Sequence, residues 1–338
     1  MDSHFMSSRF VSIGLPVYNG GESLRRAIDA LLVQSHRHFE LIISDNASAD
    51  LDTQRITEEY ARRDSRIRLT RQSKNLGAFG NFIWVLNQAR GEYFMWAAHD
   101  DCWSSNYIEA LANRLDEESD AVLATPRSQV ATTRRNGAEE QEIVRAAPNT
   151  GPDATLAQYI DEFKSCLWIY GLYRTEWLKT AAPEWMQYPW FSGDVIWLWG
   201  VLLKERIVGN PAATFFYTAD HRLRKKQTYR QTVQMWGTTF YQMARLSWQR
   251  LPSEQRLGGV FKAWQYYYRH HLRRKNLILT SIRLVKLMML WCWIGVSSGI
   301  ARIAKRVVSS FARISRLPQP ESQSLETAPQ IGEPRHAA

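Results

Sequence analysis

Cysteine is scarce: Cys102, Cys166 and Cys292 are the three in 338 residues, with no paired or metal-ligand spacing. That removes the disulfide-stapled secreted domain and the thiolate zinc module, and it fits a reducing compartment. No secretory leader opens the chain, and Met1-Asp2-Ser3-His4-Phe5 reads as a cloning remnant before a natural start at Met6. Long hydrophobic runs are lacking too. Between Lys286 and Arg302 stand 15 uncharged residues, diluted by Ser297-Ser298-Gly299, against the roughly 20 that a spanning helix needs. Acids almost vanish from one region: His221 to Arg316 holds 20 Lys or Arg against Glu254 alone, a charge of +19, while residues 1–220 hold 22 against 29, or −7. Near the first strand there is no glycine-rich phosphate loop with a following basic residue, and Gly20-Gly21-Glu22 is no substitute.

What is present is concentrated in the first third. Four apolar runs each end in a polar cluster: Pro16-Val17-Tyr18-Asn19 after Phe10 to Leu15, Asp45 to Asp50 after Leu41 to Ser44, Asn75-Leu76-Gly77 after Ile67 to Thr70, and His99-Asp100-Asp101 after Tyr93 to Ala98. Between them, Leu24, Ala27, Ile28, Leu31 and Leu32, and then Phe79, Phe82, Ile83 and Leu86, recur at helical spacing. A β-α-β-α alternation over residues 9–125 predicts an α/β fold, a doubly wound and mostly parallel sheet with helices on both faces. Ligands of such sheets bind beyond the carboxyl ends of the strands, where these four clusters fall.

The order Pro-x-Tyr-Asn, Gln34-Ser35, Glu40 to Asp50, Asn75-Leu76-Gly77 and His99-Asp100-Asp101 resembles the inverting family-2 glycosyltransferases of GT-A fold, over residues 9 to about 222. Tyr170-Gly171-Leu172-Tyr173-Arg174 and Gly193-Asp194-Val195 resemble that family's acceptor-side strand and its catalytic-aspartate helix. The resemblance implies nucleotide binding by Pro16, Tyr18, Asn19, Glu22, Asp45, Asn46, Asn75, Gly77 and Asp100. It also implies a metal on Asp101, with His221 as a further contact, and an acceptor side near Gly171 and Arg174.

The chemistry of these residue types agrees. Asp45 can accept a hydrogen bond from the N3–H of a uracil or thymine ring, and Tyr18 offers a flat stacking face; alternatively, Asp45-Asn46 builds an Asx turn into the next helix. Adjacent carboxylates facing a diphosphate repel it unless a divalent cation intervenes, so Mg²⁺ or Mn²⁺ is expected at Asp100-Asp101; the other use of this pair is to cap the helix beginning near Ser104-Ser105-Asn106. An inverting transfer needs a base for the acceptor hydroxyl, and Asp194, opening an apolar helix, is the candidate, with Glu184 and Glu176 as alternatives.

Residues 223–316 read as a basic, aromatic-rich helical region and 317–338 as a proline-containing disordered tail, after a catalytic domain of residues 1–222 whose first eight are a tag or a disordered start. Trp236, Phe240, Tyr241, Trp248, Phe261, Trp264, Tyr266, Tyr267 and Tyr268 stand among the basic residues, ahead of the apolar run 287–296. Such a composition suits an interfacial helix on anionic lipid, with 275–316 as the membrane contact and the cytoplasmic face of the inner membrane as its place; whether 277–301 lies on the bilayer or inserts stays open. The expected partners are a nucleoside-diphosphate sugar (UDP or dTDP), a lipid-linked saccharide and the membrane surface; the oligomeric state stays open. A sugar nucleotidyltransferase lacks its phosphate loop here, and a nucleic-acid binder would need a recognition motif that the chain does not have.

Overall fold

A computed structural model describes residues 9–134, 136–148, 156–158, 160, 167–188, 192–220 and 229–269. The element order begins β1 (Val11–Val17), α1 (Ser23–Leu32), β2 (Phe39–Asp45), α2 (Leu51–Arg63), β3 (Ile67–Arg71), α3 (Gly77–Asn87) and β4 (Tyr93–Trp96). Every residue of β1, β2 and β4 is buried, which is why these strands read as unbroken apolar runs. On the helices the buried positions follow the three-four spacing: Leu24, Ala27, Ile28 and Leu31 on α1, and Thr53, Ile56, Thr57 and Tyr60 on α2. Asp50 caps α2 by accepting from the amides of Asp52 and Thr53.

β1 pairs in parallel with β2 on one side and β4 on the other, and β2 pairs in parallel with β3. The chain therefore winds outward through β2 and β3, then returns across β1 to lay down β4. This reversal opens a crevice between the carboxyl ends of β1 and β4, the topological switch point where open sheets bind ligands. At the opposite end, the buried carboxylate of Glu40 accepts from Ser12 Oγ at 2.6 Å, Arg68 Nη1 at 2.6 Å and the Arg90 amide at 3.0 Å, tying three strands at their starts.

Beyond β4 come β5 (Cys102–Trp103), α4 (Tyr107–Glu117), β6 (Ala121–Thr133), β7 (Glu139–Val144), a 3-10 turn Leu167–Tyr170, β8 (Leu172–Arg174), α5 (Thr175–Ala181), a 3-10 turn Ala182–Gln187, α6 (Gly193–Leu202) and β9 (Arg206–Asp220). Among the described residues the sheet order is β3-β2-β1-β4-β8-β6-β9-β5, with β7 on β6. β8 is antiparallel to both β4 and β6, and β6 is parallel to β9. The helix expected near Ser104 starts at Tyr107, with Asn106 at its N-cap, so Asp100 and Asp101 do not cap it.

Two helices follow, α7 (Tyr229–Arg250) and α8 (Arg256–Tyr267), and they belong to the same compact unit, residues 1–275, as the sheet. Of the aromatic residues that the sequence turns towards lipid, Phe240, Tyr266 and Tyr267 are buried. Phe240 meets Tyr267, and Tyr266 meets Trp199 of α6. Their helical spacing marks an apolar face without saying whether protein or lipid covers it. Tyr241 and Phe261 are exposed. Among the described residues no helix is long and apolar enough to cross a membrane; the segment 277–301 and the tail 317–338 lie outside them.

The turn into β8 depends on Gly171, where a Cβ would collide with the Ala124 carbonyl oxygen and lie 2.7 Å from Leu123 Cδ1. Backbone cannot yield as a side chain does, so Gly171→Ala should cost about 1–3 kcal/mol. A denaturant midpoint that falls at unchanged m-value is the expected result in urea unfolding.

Candidate active site

The four polar clusters converge at the carboxyl ends of β1 to β4, and amide side chains lace the first three together. Asn19, at φ 51°, accepts from the Ala49 and Asp50 amides through Oδ1, and its own amide donates to Ser48 Oγ at 2.9 Å. Asn46 Nδ2 donates to Asn75 Oδ1 and the Gly77 carbonyl, while its Oδ1 accepts from the Leu76 amide at 2.7 Å. Gly77, at φ 75°, donates its amide to Asn75 Oδ1. Thus Asn19, Asn46, Asn75 and Gly77 build the rim. Pro16 lies in β1, paired with Ser44.

Asp45 is buried and carries a double load. Its Oδ1 accepts the Ser48 amide at 2.9 Å, which is the turn, and its Oδ2 meets Arg71 Nη1 at 2.8 Å. Arg71 also donates to the Ser48 carbonyl. Sequence reasoning missed Arg71, although it is the register partner of Asp45 on β3 and a basic residue ending the strand beside an acidic one was a usable signal. Tyr18 is 49% exposed, and an aromatic ring so exposed is available for stacking. Glu22 turns away: its carboxylate bonds Arg25 and Arg55 on the outer surface.

The fourth cluster holds the strongest anomaly. Asp101 is 1% exposed, and among the described residues neither carboxylate oxygen has a hydrogen-bond partner. Burial, with the neighbouring charge of Asp100, pushes its carboxyl up to about 8, against the pull of Arg26. Asp100 is exposed, and Arg26 of α1 donates to its carbonyl at 3.0 Å, a contact the sequence did not flag. The His99 ring lies against Gly20, whose added Cβ would sit 3.2 Å from His99 Cδ2. An orphaned buried carboxylate fits a cation ligand, because such a group is otherwise costly to bury. Among the described residues no cluster of three metal-ligating side chains forms, and His221 lies outside them.

Across the crevice, Asp194 sits in the first turn of α6 and accepts the Val195 amide at 2.8 Å. Burial raises its carboxyl above the ordinary range and outweighs the amide hydrogen bonds that lower it. The Tyr170 phenol feels the charge of both carboxylates. Its ring stacks on Phe215 at 5.0 Å and its carbonyl accepts the Tyr107 hydroxyl at 2.8 Å. Its phenol is held well above its ordinary range by burial and then by Asp101, Tyr217, Asp194 and Asp100.

Three sequence candidates stand elsewhere. Arg174 is paired with Tyr93 at the amino end of β4, and it donates to the carbonyls of Ala121, Leu115 and Glu118. It braces α4 at the end of the sheet opposite the crevice, so its placement on the acceptor side is corrected, whereas Gly171 adjoins Tyr170. Glu184 is engaged by Tyr188 and Arg250, and Glu176 is exposed beside Lys179.

Residues 12–177 match the family model described as "Glycosyl transferase family 2". An uncharacterized glycosyltransferase of Rickettsia typhi is 34% identical over 110 residues, 32% of this chain and 33% of that protein. The putative teichuronic acid biosynthesis glycosyltransferase TuaG of Bacillus subtilis is 32% identical over 121 residues, 36% of this chain and 48% of its own. The matched segment thus spans a third to a half of these relatives. Among solved structures, residues 1–349 of Staphylococcus aureus TarS in complex with UDP-GlcNAc superpose with a TM-score of 0.61 at 17% identity, covering 80% of this chain and 75% of that one. At that identity the likeness establishes the GT-A-like fold.

Asp101 yields a pH signature. Its carboxyl titrates near 3.9 when unfolded and at about 8 when folded, so folding favours the protonated form. The stability it contributes is complete below the unfolded value and is lost as pH rises through the folded one. Asp101→Asn removes this loss, and metal-free unfolding measured from pH 4 to 8 should show a flatter decline in the variant.

Proposed function

We propose that this chain, whose residues 12–177 match the model of glycosyltransferase family 2, transfers a sugar, with inversion, from a nucleoside-diphosphate sugar to a hydroxyl of a lipid-linked saccharide. The observation that carries this reading is the pair of carboxylates across one crevice, Asp101 without a partner and Asp194 raised by burial. One suits the leaving-group side and the other the attacking side.

On the donor side, Tyr18 stacks against the base and Asp45, bonded to Arg71, accepts its N3–H, which favours uracil or thymine. The UDP-GlcNAc complex of TarS supports a uridine donor. Asp101 holds Mg²⁺ or Mn²⁺, with Asp100 and His221 as further candidates; once bound, the ion supplies charge neutralisation for the departing diphosphate. Arg26 fixes the Asp100 carbonyl and thereby the loop on which Asp101 stands.

On the acceptor side, Asp194 takes the proton of the attacking hydroxyl at its free carboxylate oxygen, the other being held by the Val195 amide. A carboxyl raised towards neutral pH is a stronger base than an ordinary one, and only its deprotonated form works, so turnover should rise as pH climbs through its titration. The phenol of Tyr170 stays protonated and remains a hydrogen-bond donor between the two sides. TuaG, named for teichuronic acid biosynthesis, supports a surface-polysaccharide acceptor, and the +19 charge of residues 221–316 suits an anionic, membrane-held one.

Asp194→Asn should lower turnover by about 10² to 10⁴ while donor affinity changes little, because the lost interaction is made mainly in the transition state. Transfer and donor hydrolysis measured across a panel of nucleotide sugars with Mn²⁺ check this and identify the donor. Near wild-type transfer by the variant would remove Asp194 as the base.

Removing residues 276–338 leaves the compact unit 1–275 whole. The truncated protein should lose flotation with anionic liposomes and lose transfer to a lipid-linked acceptor, yet keep metal-dependent donor hydrolysis. Equal flotation of both forms would move the membrane contact into residues 1–275.

A further inference from the structure

α6 carries Asp194 in its first turn, and its flank is bonded to α7 by a repeated device. Thr239 Oγ1 lies 2.7 Å from Ser192 Oγ and 3.0 Å from the Met235 carbonyl oxygen. The shorter contact is the one to Ser192, to which Thr239 donates, and the Met235 carbonyl one turn back lies within reach of the same hydroxyl. One step further along, Ser247 Oγ donates to the Met243 carbonyl at 2.9 Å and accepts the indole N–H of Trp199 at 3.1 Å. Each α7 hydroxyl thus reaches the carbonyl four residues back and bonds a polar group from the α6 side. The α6 partners, Ser192 and Trp199, stand two helical turns apart, as do Thr239 and Ser247 on α7, and both pairs advance in the same direction, so the register of one helix on the other is set.

All four residues are buried. Ser192 is the N-cap of α6, and its carbonyl accepts the Ile196 amide at 3.0 Å, but its side chain makes no capping bond to its own helix. The hydroxyl that would ordinarily serve the helix end is committed to α7 instead. Next to it, Gly193 admits no side chain, since a Cβ would lie 2.8 Å from Phe79 Cζ. At the far end of α6, Arg250 closes the contact: it bonds the Glu184 carboxylate and lies over Gly200, whose Cβ would meet Arg250 Nη1 at 2.6 Å.

We propose that α7 is a splint for the catalytic end of α6, with Thr239 the positioning residue that aims Asp194 through Ser192. The inference rests on the reading of Asp194 as the base, and it makes the first helix of the basic half part of the catalytic machinery. Thr239 touches no substrate. It acts by denying the first turn of α6 the freedom to rotate or fray, and a base displaced by as little as 1 Å loses much of its effect.

The test is hydrogen exchange of the peptide covering residues 192–199 in the full-length protein, together with carbodiimide labelling of Asp194, in wild type, Thr239→Val, Thr239→Ser and Ser192→Ala. Valine keeps the shape and removes the hydroxyl; serine keeps the hydroxyl. Exchange and labelling should rise about tenfold in Thr239→Val and Ser192→Ala, the loss of one buried hydrogen bond, and stay at the wild-type level in Thr239→Ser. With the donor found by the panel, kcat of Thr239→Val should fall at unchanged donor KM. Unchanged exchange in both Thr239→Val and Ser192→Ala, or equal loosening by serine and valine, overturns the splint. Should Thr239→Val not fold, Ser192→Ala, which leaves α7 intact, decides alone. If Asp194→Asn keeps wild-type turnover while Thr239→Val still loosens the peptide, the base assignment falls and the splint stands.

Discussion

The parallel pairing of β1 with β2 on one side and β4 on the other is the constraint from which the site follows. Reversing the winding direction across β1 leaves no crossover above the carboxyl ends of β1 and β4, so a crevice opens there. The strands beneath are buried on both faces and closed by Glu40 at their starts, which leaves their ends as the place where polar side chains can gather. Tyr18, Asp45, Asp100 and Asp101 reach one crevice because three neighbouring strands, β1, β2 and β4, stop along one edge.

Within that crevice the polar residues divide their labour. Asn19, Asn46 and Asn75 spend their hydrogen bonds on neighbouring loops, and Asp45 spends two on Ser48 and Arg71. They are satisfied without any ligand, and they make the rim rigid. Asp101 is the opposite case: a buried carboxylate whose two oxygens have no hydrogen-bond partner among the described residues. A satisfied network needs no further explanation, whereas a buried carboxyl without a partner is costly unless it stays neutral or meets a ligand. That contrast singles out Asp101 among the carboxylates of the site.

Much of this was legible in the sequence, because it is local. Apolar runs of strand length, helical spacing in 24–31, and polar clusters at run ends are all short-range patterns, and they carry the fold. What stayed hidden depends on contacts between distant residues. Arg71 sits beside Asp45 only through strand register, Arg26 reaches the Asp100 carbonyl across 74 positions, and Thr239 meets Ser192 across 47. Arg174 shows the converse: its motif looked like part of the site, but an antiparallel strand carries it to the far end of the sheet, a direction no local pattern encodes. The aromatic residues of 240–267 show a third limit, since periodicity marks an apolar face and is silent on whether protein or lipid covers it.

The central claim is that the orphaned carboxylate of Asp101 is a divalent-cation ligand beside a bound nucleotide diphosphate. Crystals grown with UDP and Mn²⁺, measured at the manganese absorption edge, test it most directly. The account predicts one anomalous peak within coordination distance of an Asp101 oxygen, with the uracil between Tyr18 and Asp45. A nucleotide bound in the crevice with no anomalous peak at Asp101, or with Asp101 still lacking a partner, would contradict it.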